Sequence, residues 1–238
     1  MNKAIRIAVL DSVPKIHWQD DEGITDGEKF VDLLAAQNDQ AEFDIFYVSE
    51  YQFPANLQDY DGYMLSGSPA SVHDEHDWIN QLCDLILDAD KLDKRIVASC
   101  FGHQLVAKTF GGSVGYNEQG WLIGNYNLNI KREYEWMQPR ATSTGIFHFN
   151  QERVTRLPEQ AVSFADSDDY PNFAYTLGDN IMCLQGHPEQ PKRAMNNFMI
   201  SVASIVPEDE KQTARRMIEN GEPDAAIWGE WMMRFFLS

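Results

Sequence analysis

Three side chains in this sequence could together perform nucleophilic catalysis: Cys100, His187 and Glu189. A cysteine thiolate can attack a carbonyl carbon, a histidine can take up and return the proton, and a carboxylate two residues further on can fix the tautomer of the imidazole. The alternative for Cys100 is a small core residue, which is the usual role of a free cysteine. The occurrence of all three residue types, in the order Cys, His, Glu, favours the nucleophilic interpretation.

The residues around Cys100 indicate a sharp strand-to-helix turn. The apolar run at residues 96–98 predicts the end of a buried strand, and apolar positions at helical spacing continue to Gly111, a helix C-terminus signal. Ala98 and Gly102 flank Cys100 at two positions on either side, as in a nucleophile elbow, where only small neighbours fit. The N-terminus of the following helix would favour the thiolate form of the cysteine.

His187 belongs to the segment Gln185-Gly-His-Pro-Glu189, which follows a predicted strand over residues 181–184. Pro188 disfavours helical geometry at His187 and fixes its own φ, so the segment presents the imidazole rigidly. The strand pairs with another at residues 173–175 in a predicted hairpin. We therefore expect the histidine to follow a buried strand, as Cys100 does.

Two motifs, Cys100-Phe-Gly-His-Gln104 followed by Gly111-Gly112 and Gln185-Gly-His-Pro-Glu189, resemble those of the class I glutamine amidotransferase domain. The resemblance covers most of residues 4–204 and is closest to stand-alone γ-glutamyl peptidase-like proteins and to the glutaminase domain of GMP synthase. It implies a cysteine nucleophile, a histidine base, an orienting glutamate, a small γ-glutamyl substrate and no cofactor or metal.

The resemblance also implies positions for the oxyanion hole and the substrate. The backbone N–H groups of Ser68, in the turn at residues 66–69, and of Phe101 would stabilise the oxyanion. Many relatives have two glycines where this chain has Gly67-Ser68, and a positive φ at Ser68 would strain a serine. The residues expected to bind substrate are Gly67, Gln104, Asn150 and Gln151.

Another departure from the family lies just before Val154. Relatives have a Ser-His-x-Asp pattern there, whereas this chain has Asn150 and Glu152 at the His and Asp positions and His148 two residues early. In the family, the backbone of this loop holds the α-amino and α-carboxylate groups of the glutamyl moiety. That backbone role can survive a change of side chain.

The predicted fold class is α/β: an open, mostly parallel sheet flanked by helices, flavodoxin-like, with the architecture of class I glutamine amidotransferases. Helices are expected at residues 28–37, 78–92 and 191–205, and a meander of short strands at 114–132. We expect one domain over residues 1–238, with a core at about 4–204 and a helical extension at 205–238. The aromatic stripe of that extension is expected to pack back on the domain rather than onto a partner, and it consists of Trp228, Trp231, Met232, Phe235 and Phe236.

The composition narrows the classes of partner. The 238 residues have a formal net charge of -18, which argues against nucleic acid and anionic membrane surfaces. Three cysteines form no disulfide framework, and no signal or transmembrane segment is evident, so we expect a cytoplasmic protein. His73 and His76 lie among carboxylates, but their spacing is not that of a zinc protease, and a solvated acidic loop is the favoured interpretation.

Several functions remain open at this level. The first is a stand-alone hydrolase of γ-glutamyl amides, and the second is a glutaminase subunit that delivers ammonia to a separate synthetase. The sequence has no P-loop and no pyrophosphatase loop, so a partner would have to bind the nucleotide. Two further alternatives are a non-catalytic regulatory protein and a chaperone-like or redox-sensing cysteine protein. A homodimer is also possible as the state of assembly. The intact Cys, His and Glu positions count against the non-catalytic and redox-sensing alternatives.

Overall fold

The computed structural model describes residues 4–17, 23–118, 120–167 and 170–238. The strands and helices found there follow in chain order. The strands are β1 (Ile5–Asp11), β2 (Ala41–Tyr47), β3 (Gly62–Leu65), β4 (Arg95–Ser99), β5 (Ser113–Tyr116), β6 (Leu122–Ile130), β7 (Ser143–Asn150), β8 (Glu152–Arg156), β9 (Ala161–Asp166), β10 (Ala174–Leu177) and β11 (Ile181–Leu184). The helices are α1 (Asp26–Ala35), α2 (Asp77–Lys91), α3 (Phe101–Thr109), α4 (Lys192–Ser201), α5 (Glu208–Asn220) and α6 (Ala225–Leu237).

Nine of these strands form one sheet in the order β2-β1-β3-β4-β11-β10-β9-β6-β7, and β5 pairs with β8. The five strands from β2 to β11 are parallel, and the remaining neighbours are antiparallel. The prediction of an open α/β sheet flanked by helices is confirmed. Because β1, β3, β4 and β11 run in the same direction, their carboxyl ends meet at one edge, where ligands of such sheets bind.

Helices cover both faces of the sheet. Helices α1 and α6 pack on the face that includes Val9, Val97 and Met182, and α2 and α3 pack on the face that includes Leu10, Ala98 and Cys183. The inner parallel strands β1, β3, β4 and β11 are therefore buried on both sides, which explains their nearly continuous apolar sequences.

The aromatic stripe of α6 packs back on the sheet, as predicted. Trp228, Trp231 and Met232 are fully buried, and Phe235 and Phe236 are nearly so. The stripe shares one core cluster with Phe30 and other residues of α1 and the parallel strands. The helix predicted over residues 78–92 ends one residue earlier, at Lys91, and the side chain of Leu92 that follows it is exposed.

Two boundaries differ from the sequence-based expectation for identifiable reasons. Helix α1 begins at Asp26 because Thr25 and Glu28 form a reciprocal capping box. The expected meander at residues 114–132 is instead the short β5 and the nine-residue strand β6. Gly124 does not end β6; a Cβ there would lie 2.6 Å from Met217 Cβ, so the glycine allows α5 to pack closely.

No helix among the described residues is both long and apolar enough to cross a membrane.

Candidate active site

Cys100 lies at the turn between β4 and α3 in a conformation that a non-glycine residue rarely adopts. Its φ is 49° and its ψ is -104°. Two backbone hydrogen bonds fix it: Cys100 N–H donates to Leu184 O at 2.9 Å, and Gln104 N–H donates to Cys100 O at 3.0 Å. Such strained backbone costs about 1–3 kcal/mol and persists only where the surroundings impose it. The geometry is that of a nucleophile elbow at the start of a helix.

The small residues near Cys100 allow three segments to approach one another. A Cβ at Gly102 would lie 2.7 Å from Leu65 Cβ, and Gly102 N–H donates to Ser66 O at 3.2 Å. A Cβ at Gly67 would lie 2.8 Å from His187 Cε1 and 3.5 Å from Cys100 Cβ. The turn after β3, the elbow and the His-Pro-Glu segment therefore meet at the carboxyl edge of the sheet.

His187 and Glu189 form a buried pair beside the cysteine. His187 Nδ1 lies 2.8 Å from Glu189 Oε1, and the Glu189 side chain is fully buried. Because an ionised carboxylate only accepts, the proton of the pair belongs on Nδ1. The other ring nitrogen, Nε2, is buried, and Cys100 is the neighbouring group with which it can exchange a proton.

Two opposing effects set the pKa of His187. Burial lowers it, but the interactions with Cys100 and Glu189 together outweigh burial and raise the pKa well above its ordinary value. The protonated ring is therefore favoured when Cys100 is a thiolate. A cysteine and a histidine arranged in this way can exchange a proton without a metal or cofactor.

The turn containing Ser68 is fastened to the loop after β1. Ser68 Oγ donates to Ser12 O at 2.8 Å and accepts from Ala70 N–H, while Ser12 N–H donates to Ser66 Oγ at 2.8 Å. Ser68 does not have a positive φ, so the strain considered for a serine at this position does not arise. The serine hydroxyl instead anchors the turn. None of the hydrogen bonds of the described residues uses the N–H of Ser68 or Phe101.

Of the predicted substrate-binding residues, Gly67 lies beside Cys100 and His187, whereas Gln104, Asn150 and Gln151 lie together on a polar wall of buried and half-buried side chains. Gln104 Nε2 and Asn150 Nδ2 both donate to Glu152 O, at 2.7 and 2.9 Å. Gln104 Nε2 also donates to Gln185 Oε1 at 3.1 Å. Gln151 is half-buried, and its carbonyl accepts from Asn117 N–H. Sequence reasoning assigned no role to Gln185, although it opens the His-Pro-Glu motif.

Several buried atoms of this wall have no hydrogen-bond partner in the part of the chain described. They are Gln185 Nε2, Asn150 Oδ1 and both ring nitrogens of His148. His148 is fully buried between aromatic rings, 4.2 Å from Phe173 and 5.3 Å from Tyr126 by centroid distance. Burial lowers its pKa well below the ordinary value, the nearby His187 and His103 add to this, and the neighbouring Asn150 side chain opposes it only weakly, so the ring is neutral. Each neutral imidazole offers one donor and one acceptor.

His103 is a second neutral histidine, on α3. It is fully buried against Tyr175, with ring centroids 4.9 Å apart, and burial lowers its pKa to about 3. The described residues contain no group of three or more His, Cys, Asp or Glu side chains that could bind a metal ion. His73 and His76 lie on an exposed loop.

Comparisons with known proteins agree with this architecture. The model of the glutamine amidotransferase class-I family matches residues 30–205, so the chain belongs to that family. It is 32% identical over 210 residues to γ-glutamyl peptidase 2 of Arabidopsis thaliana, covering 83% of each protein. It is 27% identical to a GMP synthase (glutamine-hydrolysing) of Christiangramia forsetii over 74% of this chain and 35% of that protein.

A solved structure shows the same fold over nearly the whole chain. A glutamine amidotransferase from Thermotoga maritima superposes with a TM-score of 0.75 at 20% identity, covering 99% of this chain and 97% of that one. The resemblance inferred from the two motifs is confirmed.

Proposed function

We propose that this protein hydrolyses γ-glutamyl amide bonds through a γ-glutamyl thioester on Cys100. The observation that carries the proposal is the convergence of the strained Cys100, the buried pair of His187 and Glu189, and Gly67 at one edge of the sheet. The γ-glutamyl peptidase relative supports the choice of substrate class.

In the first half of the reaction, His187 Nε2 takes the thiol proton and the sulfur attacks the γ-carbonyl carbon. The N–H groups of Ser68 and Phe101 face no other partner and would stabilise the oxyanion, a contribution of roughly 3–4 kcal/mol per donor in comparable sites. The imidazolium then protonates the leaving amine, and the C–N bond breaks. Glu189 keeps the ring in one tautomer throughout.

In the second half, His187 takes a proton from water, and the resulting hydroxide attacks the thioester carbonyl. The C–S bond breaks, the sulfur regains a proton from His187, and glutamate leaves. The water supplies both the oxygen of the new carboxylate and the proton that returns the site to its starting state.

The unpartnered atoms of the polar wall support recognition of the glutamyl head group. Gln185 Nε2 is a donor, Asn150 Oδ1 is an acceptor, and neutral His148 offers one of each. An α-carboxylate and an α-ammonium together need both kinds of partner, and leaving buried polar atoms unpaired is costly. Gln104 and Gln151 complete this part of the site in the proposal.

The protein would act as a single domain in the cytoplasm. The packing of α6 into the same core as α1 supports one domain, and the three free cysteines are consistent with a reducing compartment.

The alternative is a glutaminase that supplies ammonia to a separate synthetase. The likeness to part of a GMP synthase favours it. In this chain the turn that would supply an oxyanion donor is already fastened by the hydrogen bonds between Ser66, Ser68 and the Ser12 backbone. That arrangement favours activity without a partner.

Steady-state kinetics of the purified protein, without ATP or any other protein, test the choice. We expect kcat/KM to be higher for a substituted γ-glutamyl amide, such as a γ-glutamyl dipeptide, than for glutamine, with Cys100→Ser as the inactive control. A preference for glutamine, particularly if turnover requires a copurifying synthetase, would favour the alternative.

A further inference from the structure

The side chain of Gln190 connects the Glu189 carboxylate to the first turn of α1. Gln190 Nε2 lies 3.1 Å from Glu189 Oε1 and 2.8 Å from Asp26 Oδ1. On its other side, Gln190 Oε1 accepts from Lys29 Nζ at 3.0 Å, and Lys29 Nζ also lies 3.1 Å from Asp26 Oδ1. The orienting carboxylate of the proposed site therefore has a donor other than the histidine.

The charges around the Gln190 amide allow one orientation. Its NH₂ group lies between two carboxylates, which only accept, and its oxygen faces an ammonium group, which only donates. A flipped amide would place its oxygen against both carboxylates and its NH₂ against the ammonium. The network thus fixes the direction from which Glu189 Oε1 receives its second hydrogen bond.

The network is sheltered from solvent. The side chains of Lys29 and Asp26 are 9% and 17% exposed, and that of Glu189 is fully buried. Hydrogen bonds to charged groups are stronger in such surroundings than at the surface. Without a donor between them, the carboxylates of Glu189 and Asp26 would repel each other, and Glu189 could turn away from His187.

We propose that Gln190 is a positioning residue, aligned by Asp26 and Lys29, that holds Glu189 Oε1 against His187 Nδ1. Glu189 in turn keeps the imidazole proton on Nδ1 and Nε2 free for Cys100. The inference rests on the proposed Cys-His-Glu function. It assigns a role to a pair on α1 that lies more than 160 positions away in the sequence.

The central variant is Gln190→Leu, which removes both the donor and the acceptor. We expect kcat to fall about tenfold, as when a side chain that orients a site residue is lost, with KM changed less than twofold. The alkaline limb of the pH profile should move to lower pH, because a misplaced Glu189 no longer raises the pKa of His187.

Lys29→Met should change kcat and the alkaline limb in the same direction by a smaller amount. Its matched control is Lys91→Met, which removes the exposed i,i+3 partner of Asp88 on α2 and should change neither.

A double variant separates positioning from general damage. If Gln190 acts through Glu189, Gln190→Leu combined with Glu189→Gln should be no slower than Glu189→Gln alone. Additive losses, an unchanged kcat and pH profile in Gln190→Leu, or a rise in KM at constant kcat would overturn the proposal. Thermal unfolding of each variant identifies any that fails to fold, and Lys29→Met then carries the test.

A substrate-independent readout distinguishes this proposal from the proposed function. The rate at which iodoacetamide alkylates Cys100, followed against pH, reports the thiolate that His187 stabilises. We expect Gln190→Leu to slow alkylation at neutral pH even if the wild type hydrolyses no γ-glutamyl amide, in which case the hydrolase proposal alone fails. Equal alkylation profiles for wild type and Gln190→Leu would refute the positioning role even if hydrolysis is confirmed.

Discussion

Two buried regions of this molecule differ in how much polar surface they bury. At the carboxyl edge of the sheet, Cys100 has a positive φ, and buried atoms of His148, Asn150 and Gln185 have no partners among the described residues. Beneath α6, the buried surface is aromatic and aliphatic: Trp231 Nε1 donates to Pro139 O at 2.9 Å, and Trp228 Nε1 is buried without a hydrogen-bond partner among the described residues. The proposed site thus combines a strained nucleophile with several unpaired polar side chains, whereas the core beneath α6 is almost entirely apolar.

Burial of apolar side chains elsewhere in the fold offsets the cost of such a site. Strain and unsatisfied polar groups each cost a few kcal/mol at most, and burial of a large aromatic side chain stabilises by a similar amount. Helix α6 places Trp228, Trp231 and Phe235 in the core that also contains α1. Substitutions in the two regions should therefore separate activity from stability, and the largest effect on activity is expected at the nucleophile.

Removing the sulfur of Cys100 should abolish activity without unfolding the protein. We expect Cys100→Ala to lower kcat by a factor on the order of 10⁶, as for the nucleophile of comparable triads, with no loss in the free energy of unfolding measured in urea. Cys83→Ala and Cys183→Ala are the controls and should retain activity. Loss of activity in either control instead of Cys100→Ala would contradict the assignment.

Substitutions of His187 and of Glu189 should differ in how much they lower kcat and in how they change its pH dependence. His187→Asn should cost nearly as much as loss of the nucleophile, and Glu189→Gln should cost less, a factor on the order of 10⁴. Because Glu189 helps to raise the pKa of His187, Glu189→Gln should move the alkaline limb of kcat/KM to lower pH. Full activity in His187→Asn, with an essential His148 or His103, would refute the proposed roles of His187 and Glu189.

The core beneath α6 should show the opposite pattern. Trp231→Ala leaves a cavity in place of a fully buried indole, so we expect unfolding to become easier by about 3–5 kcal/mol. Below its melting range, the variant should keep the kcat of the wild type, and Trp231→Phe should lose less stability. A large fall in kcat of the folded variant would show that the two regions are coupled.

The smallest effect is expected at Ser68. Ser68→Ala removes the hydrogen bond to Ser12 O but leaves the backbone N–H. Because one hydrogen bond stabilises the position of the turn by about 1 kcal/mol, we expect kcat to fall about fivefold. Ser201→Ala, which removes an exposed hydroxyl bonded to Phe198 O, is the matched control. A loss of 100-fold or more would mean that the hydroxyl itself takes part in the reaction.

Local sequence predicted the parts of the site that depend on near neighbours. The elbow at Cys100 needs small flanking residues and a strand before a helix, and the imidazole of His187 is presented by its own proline. The apolar composition of the tail likewise predicted the burial of α6. These features depend on periodicity and on residues one or two positions away.

Other features depend on contacts between distant segments, which no local pattern contains. The hydroxyl of Ser68 anchors its turn because Ser12 lies beside it, and Ser68 does not have the positive φ that would strain a serine. Gly124 lies within β6, and Met217 of α5 occupies the space that a Cβ at this position would need. Gln190 directly follows the His-Pro-Glu motif, but its proposed role depends on α1, which brings Asp26 next to it.

The most direct test of the proposed mechanism is to trap its intermediate. We expect wild-type protein quenched in acid during turnover of a γ-glutamyl amide to gain the mass of one glutamyl group, and peptide mapping to place it on Cys100. Cys100→Ser treated in the same way should show no thioester that is cleaved by hydroxylamine. An adduct on Cys83 or Cys183, or turnover by Cys100→Ala, would contradict the mechanism.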